Sequence, residues 1–214
     1  MPLSRLTGVR AAGRNLAREM LWAALDLRGR TRRTVTGTDL KLNLGCGADI
    51  RSGWVNVDLT PEADIQIDLR EPWPIAEGSA AVAHAEHFFE HLEHPKETGP
   101  FLAECLRALR PGGVLSLSVP DTERALRAYV EDPQWLHYAV ERWPPGPEVY
   151  VATPLAIVNQ QFRQGGEHKY SYDADTPIAV LTDAGFTAAA VREPHAWDSP
   201  GRVEGSLLVQ AVRP

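Results

Sequence analysis

The chain has few cysteines and no long hydrophobic run. Its 214 residues are enough for one domain with a hydrophobic core. Cys46 and Cys105 are too few for a disulfide framework and lack the spacing of a zinc site. This scarcity favours a reducing compartment, so we expect a cytoplasmic protein. No apolar run approaches the roughly 20 residues that a membrane-spanning helix needs. The N-terminus is rich in arginine, but its scattered apolar residues are not those of a signal peptide.

The formal net charge of −6 is unevenly distributed along the chain. Residues 1–38 carry eight arginines and two acidic residues, so this segment is near +6 and the remainder near −12. An acidic body argues against a broad nucleic-acid surface. We expect a helix over 9–29, a linker to Thr38 and a domain over 39–214. The basic segment is either a solvated helix packed on the domain or a contact for a membrane surface, an RNA or a partner protein.

The most informative stretch is residues 41–48 (KLNLGCGA), where an apolar run ends in Gly45, Cys46 and Gly47. A buried parallel strand has this pattern when its carboxyl end opens onto a tight loop. Glycine permits a positive φ there and allows the backbone to approach a ligand. A second strand follows and ends at Asp58. A glycine-rich turn after one strand and an acid at the end of the next together predict a nucleoside site.

Strand and helix signals alternate from residue 40 to 119, which predicts parallel βαβ units. Strands are predicted over 40–45, 54–59, 64–68, 80–85, 114–119, 186–192 and 206–212. Helices are predicted over 95–109, 121–130, 155–162 and 175–184. The last two strands have no helix between them and suit an antiparallel hairpin at the sheet edge. Residues 120–173 are the least regular, and we expect them to form a lid or binding region.

Five elements in this order resemble the class I S-adenosylmethionine-dependent methyltransferases: LNLGCG, the acid of VNVDL, the acid of QIDL, EHFFEHL and LRPGG. The chain is most similar to a bacterial subgroup of small predicted methyltransferases with GW-NVD, EH–EHL and G-HK–YD segments. The resemblance covers 40–120 firmly and 160–212 loosely. It implies an α/β fold with a Rossmann-like, seven-stranded, mostly parallel sheet in the order 3-2-1-4-5-7-6 and helices on both faces. It also implies S-adenosylmethionine as the cofactor.

The same resemblance implies roles for individual residues. Asp58 would accept from the ribose hydroxyls, and Asp68 would meet the adenine amino group with Leu69 against the ring. The backbone of Cys46 matters more than its thiol, which we interpret as a packing group. The expected cofactor-binding residues are Asn43, Gly45, Cys46, Gly47, Asp58, Leu59, Asp68, Leu69, Glu86 and His87. A dinucleotide reductase fits less well, because the loop lacks a third glycine and Asp49 would repel a pyrophosphate.

Two interpretations of residues 86–91 (EHFFEH) compete. In one, Glu90 and His91 are the polar wall of a pocket, and the backbone at Glu86 and His87 contacts the cofactor or the acceptor. In the other, His87, Glu90 and His91 bind a divalent metal. A related family that methylates quinone precursors binds a metal through a Glu, Glu, His triplet here. Because this chain has His87 in place of the first glutamate, we expect no metal.

The acceptor side is expected in the later, Gly-marked segment and in the helix before it. His91 and His168 are the candidate catalytic bases, since histidine has a suitable intrinsic pKa. The candidate substrate-binding residues are Glu90, Gln161, Tyr170 and Tyr172. The predicted function is methyl transfer to a hydroxyl or amine of a small molecule or glycan. The alternatives are a cofactor-binding regulatory or assembly protein without turnover, and a macromolecular methyltransferase that uses the basic helix.

Overall fold

The computed structural model describes residues 34–145 and 149–214, together with Met20 and Ala24, which are helical. Apart from these two positions, the predicted helix over 9–29 and the basic arm lie outside the described residues. Within the described part of the chain, no helix is both long and apolar enough to cross a membrane.

The described strands form one sheet in the order β3-β2-β1-β4-β5-β7-β6. The strands are β1 (Leu40–Leu44), β2 (Val55–Asp58), β3 (Ile65–Gln66), β4 (Ala80–Glu86), β5 (Leu109–Pro120), β6 (Thr187–Val191) and β7 (Ser206–Val212). Neighbours from β3 to β5 are parallel, whereas β7 pairs antiparallel with both β5 and β6. The predicted strand order, the mostly parallel sheet and the terminal hairpin are therefore confirmed.

Five longer helices accompany the sheet in the described residues. They are α1 (Thr98–Ala108), α2 (Thr122–Glu131), α3 (Pro133–Arg142), α4 (Pro154–Arg163) and α5 (Asp175–Asp183). The N-cap of α2 is Asp121, whose carboxylate accepts from Arg124 N at 3.0 Å, and Thr153 caps α4 in the same way. Helix α3 was not predicted. It begins with Pro133, which is well tolerated in the first turn of a helix because its missing N–H has no partner there.

Two separate apolar clusters stabilise the fold. The main core joins the strands to α1 and α5 and includes Leu42, Leu117, Phe101 and Leu181, all fully buried. A second cluster lies among α2, α3 and α4 and consists of Ala125, Ala128, Leu136, Ile157 and Val158. The region predicted as a lid thus has a small hydrophobic core of its own, because each of its helices buries one apolar stripe.

Some boundaries differ from the predicted ones. Strand β3 has only two residues, because Asp64 Oδ2 accepts from Asn56 N and Nδ2 at 2.8 Å and Asp68 begins a turn. Strand β5 begins at Leu109, directly after α1, and already pairs there with Ala80. The end of the predicted linker is also paired, since Val35 forms an isolated parallel bridge with Ile75 outside the seven strands.

Candidate active site

The loop after β1 folds back onto β2. Gly45 N and Cys46 N both donate to Val57 O, at 2.8 and 3.3 Å. Gly45 has a φ of +68°, and a Cβ there would lie 2.4 Å from the ring of Phe88. Gly47 has a φ of +50°, but a Cβ there would have no atom within 4 Å. Gly45 is therefore required by close packing, whereas Gly47 faces open space where a ligand can approach.

Asp58 ends β2 directly below this loop. Its Oδ2 accepts from Gly47 N at 2.9 Å and its Oδ1 accepts from Thr60 N at 3.0 Å. Each carboxylate oxygen has about two lone pairs, so both oxygens keep capacity for a further donor. Leu59, the next residue, is half-buried. The acid predicted for the cofactor is thus held by the backbone in a fixed orientation at the carboxyl end of the sheet.

Two residues of the loop support it from within. Asn43 is 2 % exposed, and its Nδ2 donates to Asp49 O at 2.7 Å and to Asn56 Oδ1 at 3.0 Å. The side chain of Asn43 therefore buttresses the loop. Burial, followed by the nearby charge of Asp58, raises the pKa of the Cys46 thiol to about 12. A thiol with that pKa stays protonated at neutral pH and is no nucleophile.

Asp68 and Leu69 follow β3. Asp68 forms a close ion pair with Arg70, whose guanidinium also reaches Glu97 Oε1 at 2.8 Å. Leu69 is only 3 % exposed and belongs to the main core, and its carbonyl accepts from Trp73 Nε1 at 3.1 Å. The structure therefore places Asp68 at the surface but buries Leu69, which has little side-chain surface left to contact a ring.

Glu86, the last residue of β4, takes part in a buried polar network. Its Oε2 lies 2.6 Å from Arg51 NH2 and accepts from Ser199 Oγ at 2.8 Å. Burial alone would raise the pKa of Glu86. The nearby imidazole of His84, the hydrogen bonds from Ser199 and the charge of Arg51 outweigh this effect and hold the pKa at about 2. The side chain of Glu86 is therefore engaged in the protein, and only its backbone is left for the predicted contact.

The same network continues across β4 and β5. His84 is fully buried, and its Nδ1 lies 3.0 Å from Ser116 Oγ, which accepts from Arg192 NH2 at 2.8 Å. Arg192 forms a bidentate pair with Asp198 at 2.6 and 2.7 Å. Burial lowers the pKa of His84, whose Nε2 is 3.9 Å from both Glu86 and Asp198. Sequence reasoning missed this network, because its members come from four separate segments and share no motif.

Residues 87–91 turn away from the end of β4. His87 has a φ of +52°, and its Nε2 lies 2.8 Å from Ser206 Oγ. A short 3₁₀ turn over Phe89–His91 then buries Glu90, which is 1 % exposed. The stretch is not the α-helix that would put His87, Glu90 and His91 on one face. Instead, Glu90 Oε1 lies 3.4 Å from His87 Nδ1 and 4.0 Å from His91 Nε2.

The segment after α4 brings a third histidine to Glu90. Lys169 N and Tyr170 N both donate to Glu90 O, at 2.8 and 3.2 Å. This pairing places His168 Nε2 3.9 Å from Glu90 Oε1, and the rings of His168 and His91 meet edge to face at 5.1 Å. Tyr172 is 1 % exposed and stacks on Phe89 at 5.2 Å, so it lies behind the site. Burial, followed by the charge of Glu90, raises the pKa of Tyr172.

A cavity of about 610 Å³ lies between the carboxyl ends of β4 and β5 and the lid helices; we call it the lid cavity. Its floor includes His87 and Pro120, and α3 and α4 form its roof. The lining residues are His87, Pro120, Trp135, Ala139, Val140, Arg142, Trp143, Pro144, Pro145, Ile157, Gln160, Gln161, Gln164, His168, Arg202 and Gly205. Of the predicted catalytic and substrate-binding residues, Gln161 and His168 line the cavity, whereas Glu90, His91, Tyr170 and Tyr172 do not.

A family model described as a methyltransferase domain matches residues 20–117, a range that contains the glycine loop, Asp58, Asp68 and the Glu90 turn. This match supports a class I S-adenosylmethionine-dependent methyltransferase. The methyltransferase accordingly uses S-adenosylmethionine as its cofactor. The lid and the terminal hairpin lie beyond the matched range. No curated protein sequence matches the methyltransferase significantly.

Solved structures share the fold of the methyltransferase at low identity. A possible exported protein from Bordetella parapertussis is 17 % identical over 92 % of this chain and 66 % of its own, with a TM-score of 0.50. A SAM-dependent methyltransferase from Aquifex aeolicus is 13 % identical over 84 % of both chains, with a TM-score of 0.48. A chain of the complex between the Haloferax volcanii Trm112 methyltransferase activator and its partner is 18 % identical over 95 % of both chains, at 0.47.

Proposed function

We propose that the methyltransferase methylates a hydroxyl or amine of a small molecule or glycan that binds in the lid cavity. The observation that carries this proposal is the cavity itself, which lies at the carboxyl ends of β4 and β5. Open α/β sheets bind ligands at this edge. Its volume of about 610 Å³ is in the range of small-molecule sites.

The residues at the ends of β1 and β2 fit S-adenosylmethionine. Gly47 leaves room for a ligand beside the backbone, and Asp58 keeps free lone pairs beside it. We infer that Gly45, Cys46 and Gly47 hold the amino acid end through backbone groups and that Asp58 accepts from the ribose hydroxyls. Asp68 is our candidate for the adenine end. The negative charge of Asp58 also favours a cationic sulfonium ligand over an anionic one.

The cavity wall indicates the kind of acceptor. Trp135, Trp143 and Ile157 offer flat and apolar surface, which suits a ring or a sugar face. Gln160 and Gln164 add amide groups, and Arg142 and Arg202 add positive charge. We therefore expect an acceptor with a planar or apolar body and polar or anionic substituents.

The bound cofactor supplies an electrophilic methyl group on a sulfonium. The protein's part is to hold the acceptor in line with that methyl group and to exclude water, which is where most of the rate enhancement arises. The acceptor oxygen or nitrogen forms the new bond to carbon as the carbon–sulfur bond breaks, and the acceptor's proton must leave. His168 presents an imidazole lone pair at the inner end of the cavity to receive it, either directly or through a bound group.

The test is incubation of the purified protein with methyl-labelled S-adenosylmethionine and a cell extract that is then fractionated by size. We expect label in the small-molecule fraction. Gln160→Trp should fill the cavity and lower transfer by about tenfold or more without changing cofactor binding, because the bulky ring displaces the acceptor. Asn159→Trp is the matched control, since Asn159 is the exposed neighbour on the same helix.

Label in RNA or protein would replace this proposal by a macromolecular acceptor, and loss of that label on deleting residues 1–33 would implicate the basic arm. Cofactor binding without transfer to any fraction would instead favour a non-catalytic role. Unchanged transfer by Gln160→Trp would place the acceptor outside the lid cavity.

A further inference from the structure

Glu90 is buried without a hydrogen-bond partner for its carboxylate among the described residues. Both Oε1 and Oε2 lack a donor, and the residue is 1 % exposed. The imidazoles of His87, His91 and His168 lie 3.4–4.0 Å from Glu90 Oε1. Burying an uncompensated carboxylate is costly, so such a group is retained where it serves a bound cation or a reaction.

A second buried polar atom near Glu90, His168 Nε2, also has no hydrogen-bond partner among the described residues. Its Nδ1 lies 2.6 Å from the carbonyl oxygen of Gln161, and a carbonyl can only accept, so Nδ1 carries the proton and donates it. In the neutral ring, Nε2 is then a lone-pair donor, and it is buried 3.9 Å from Glu90 Oε1 without a hydrogen-bond partner. Imidazoles that bind metals typically have their other nitrogen held by a carbonyl in this way.

We propose that Glu90, His91 and His168 form a binding site for a divalent transition metal ion such as Zn²⁺. One ligand atom of each residue lies within 4.8 Å of the other two. Tetrahedral zinc with bonds of about 2.0–2.1 Å holds its donors about 3.4 Å apart, so even the widest pair would need to close by no more than about 1.4 Å. Two imidazoles and one carboxylate suit zinc, iron, cobalt or nickel, whereas magnesium prefers a set of oxygens.

This donor set differs from the one that the sequence offered. His87 is turned by its positive φ toward Ser206 Oγ, and the third donor comes from residue 168, far along the chain. The two backbone hydrogen bonds from Lys169 N and Tyr170 N to Glu90 O hold that segment in place. The expectation of no metal was argued on His87, so it does not apply to the set that the fold assembles.

The role of the ion rests on the proposed methyl transfer. Three protein ligands leave a coordination position open, and His168 lines the lid cavity, so an acceptor hydroxyl can reach that position. A metal lowers the pKa of a bound hydroxyl. A bound ion would thus help the acceptor hydroxyl to release its proton to solvent as its oxygen bonds to the methyl carbon and the carbon–sulfur electron pair stays on sulfur. With the ion bound, the lone pair of His168 would be used in coordination, and His168 would take the proton of the acceptor only in the metal-free protein.

Zinc binding to the chelator-treated full chain tests the site directly, by competition with a coloured chelator. We expect one zinc per chain and a loss of affinity of about tenfold or more in Glu90→Gln and in His168→Gln. His137→Gln and Glu93→Gln change exposed residues outside the site and should bind zinc as the wild type does. Circular dichroism and cofactor calorimetry on each variant verify that it is folded.

Cobalt substitution in the wild type provides a second measurement that needs no variant. Nitrogen and oxygen ligands give visible d–d bands without the charge-transfer band of a thiolate, so a thiolate band would assign the ion to cysteine and overturn the proposal. Absence of stoichiometric zinc, or wild-type affinity in both ligand variants, would overturn it as well. If the protein binds no zinc but still binds the cofactor and transfers label, only the proposed metal site is wrong. If the protein does not bind the cofactor, the proposed function is wrong.

Discussion

Asp58 is positioned by the backbone rather than by charged neighbours. Both of its oxygens accept from backbone N–H groups, those of Gly47 and Thr60. These bonds fix the carboxylate beside the open face of Gly47 before any ligand arrives. Since ligand binding then requires no side-chain ordering, the entropic cost of recognition is low.

Asp58→Ala should weaken S-adenosylmethionine binding by about 1.5–3 kcal/mol, the usual worth of a hydrogen bond to a charged group. Isothermal calorimetry measures the change. Glu62→Ala, an exposed acid on the following loop, is the control for the loss of one negative charge. A loss below about 0.5 kcal/mol for Asp58→Ala would remove this residue from the cofactor site.

At the scale of elements, the glycine loop after β1 packs against the turn after β4 that contains Phe88. They come from the ends of adjacent strands β1 and β4, and the ring of Phe88 lies against Gly45. Any side chain at Gly45 collides with that ring, whereas one at Gly47 meets nothing. The two glycines therefore have different reasons to be glycine, although both have a positive φ.

Gly45→Ala should destabilise the fold by about 2–4 kcal/mol, through the strain of a positive φ and the overlap with Phe88. Gly47→Ala should cost only about 1–2 kcal/mol, because the strain of its φ acts alone. Urea unfolding of both variants measures the difference. Combining Gly45→Ala with Phe88→Ala should recover part of the loss, and strictly additive effects would contradict the close contact.

The lid is a second element-scale unit, because α2, α3 and α4 bury Leu136 and Ile157 against one another rather than in the main core. Leu136→Ala should cost about 2–4 kcal/mol of lid stability by leaving a cavity. We expect faster hydrogen exchange over 122–163 and weaker acceptor binding, with cofactor affinity retained. Leu117→Ala, in the main core, is the comparison and should speed exchange throughout the sheet. Uniform effects of both variants would show that the lid does not open separately.

For the whole molecule, the buried network of His84, Glu86 and Asp198 ties the β4 end to the loop after β6. The pKa of Glu86 is about 2 in the folded protein, below its ordinary value of 4.5. Glu86 therefore contributes stability above pH 4.5 that is lost as the pH falls toward 2. The pKa of His84 is lowered below 6.5 in the folded protein. Below pH 6.5 the unfolded chain therefore binds a proton at His84 more readily than the folded chain does, and the free energy of unfolding falls. From both pKa shifts we expect the free energy of unfolding to decrease in acid.

Glu86→Gln should lower the free energy of unfolding at pH 7 by on the order of 3 kcal/mol, and the deficit should shrink between pH 4.5 and pH 2. Urea titrations across that range measure it. Glu131→Gln, an exposed acid at the end of α2, should leave the pH profile unchanged. A deficit in Glu86→Gln that stays constant with pH would mean that the ionised form is not preferentially stabilised.

The sequence by itself determined the glycine loop and the position of Asp58, whereas the strand order followed from the resemblance to class I methyltransferases. These features depend on local signals: apolar runs that end in glycine or an acid, and helix stops such as residues 111–113. They were predictable because each lies within one βαβ unit, where the connection rules leave few topologies.

Only the tertiary structure decided which side chains meet. Backbone hydrogen bonds from residues 169 and 170 to Glu90 O bring His168 to Glu90, although the two segments are far apart in the chain. Side-chain bonds likewise join Arg51 and Ser199 to the carboxylate of Glu86. Leu69 is turned into the core, away from its predicted role, because packing and not residue type sets the direction of a side chain. Contacts at long sequence separation leave no periodicity or spacing in the sequence, and this is why the cluster of Glu90, His91 and His168 and the lid cavity emerge only in the folded chain.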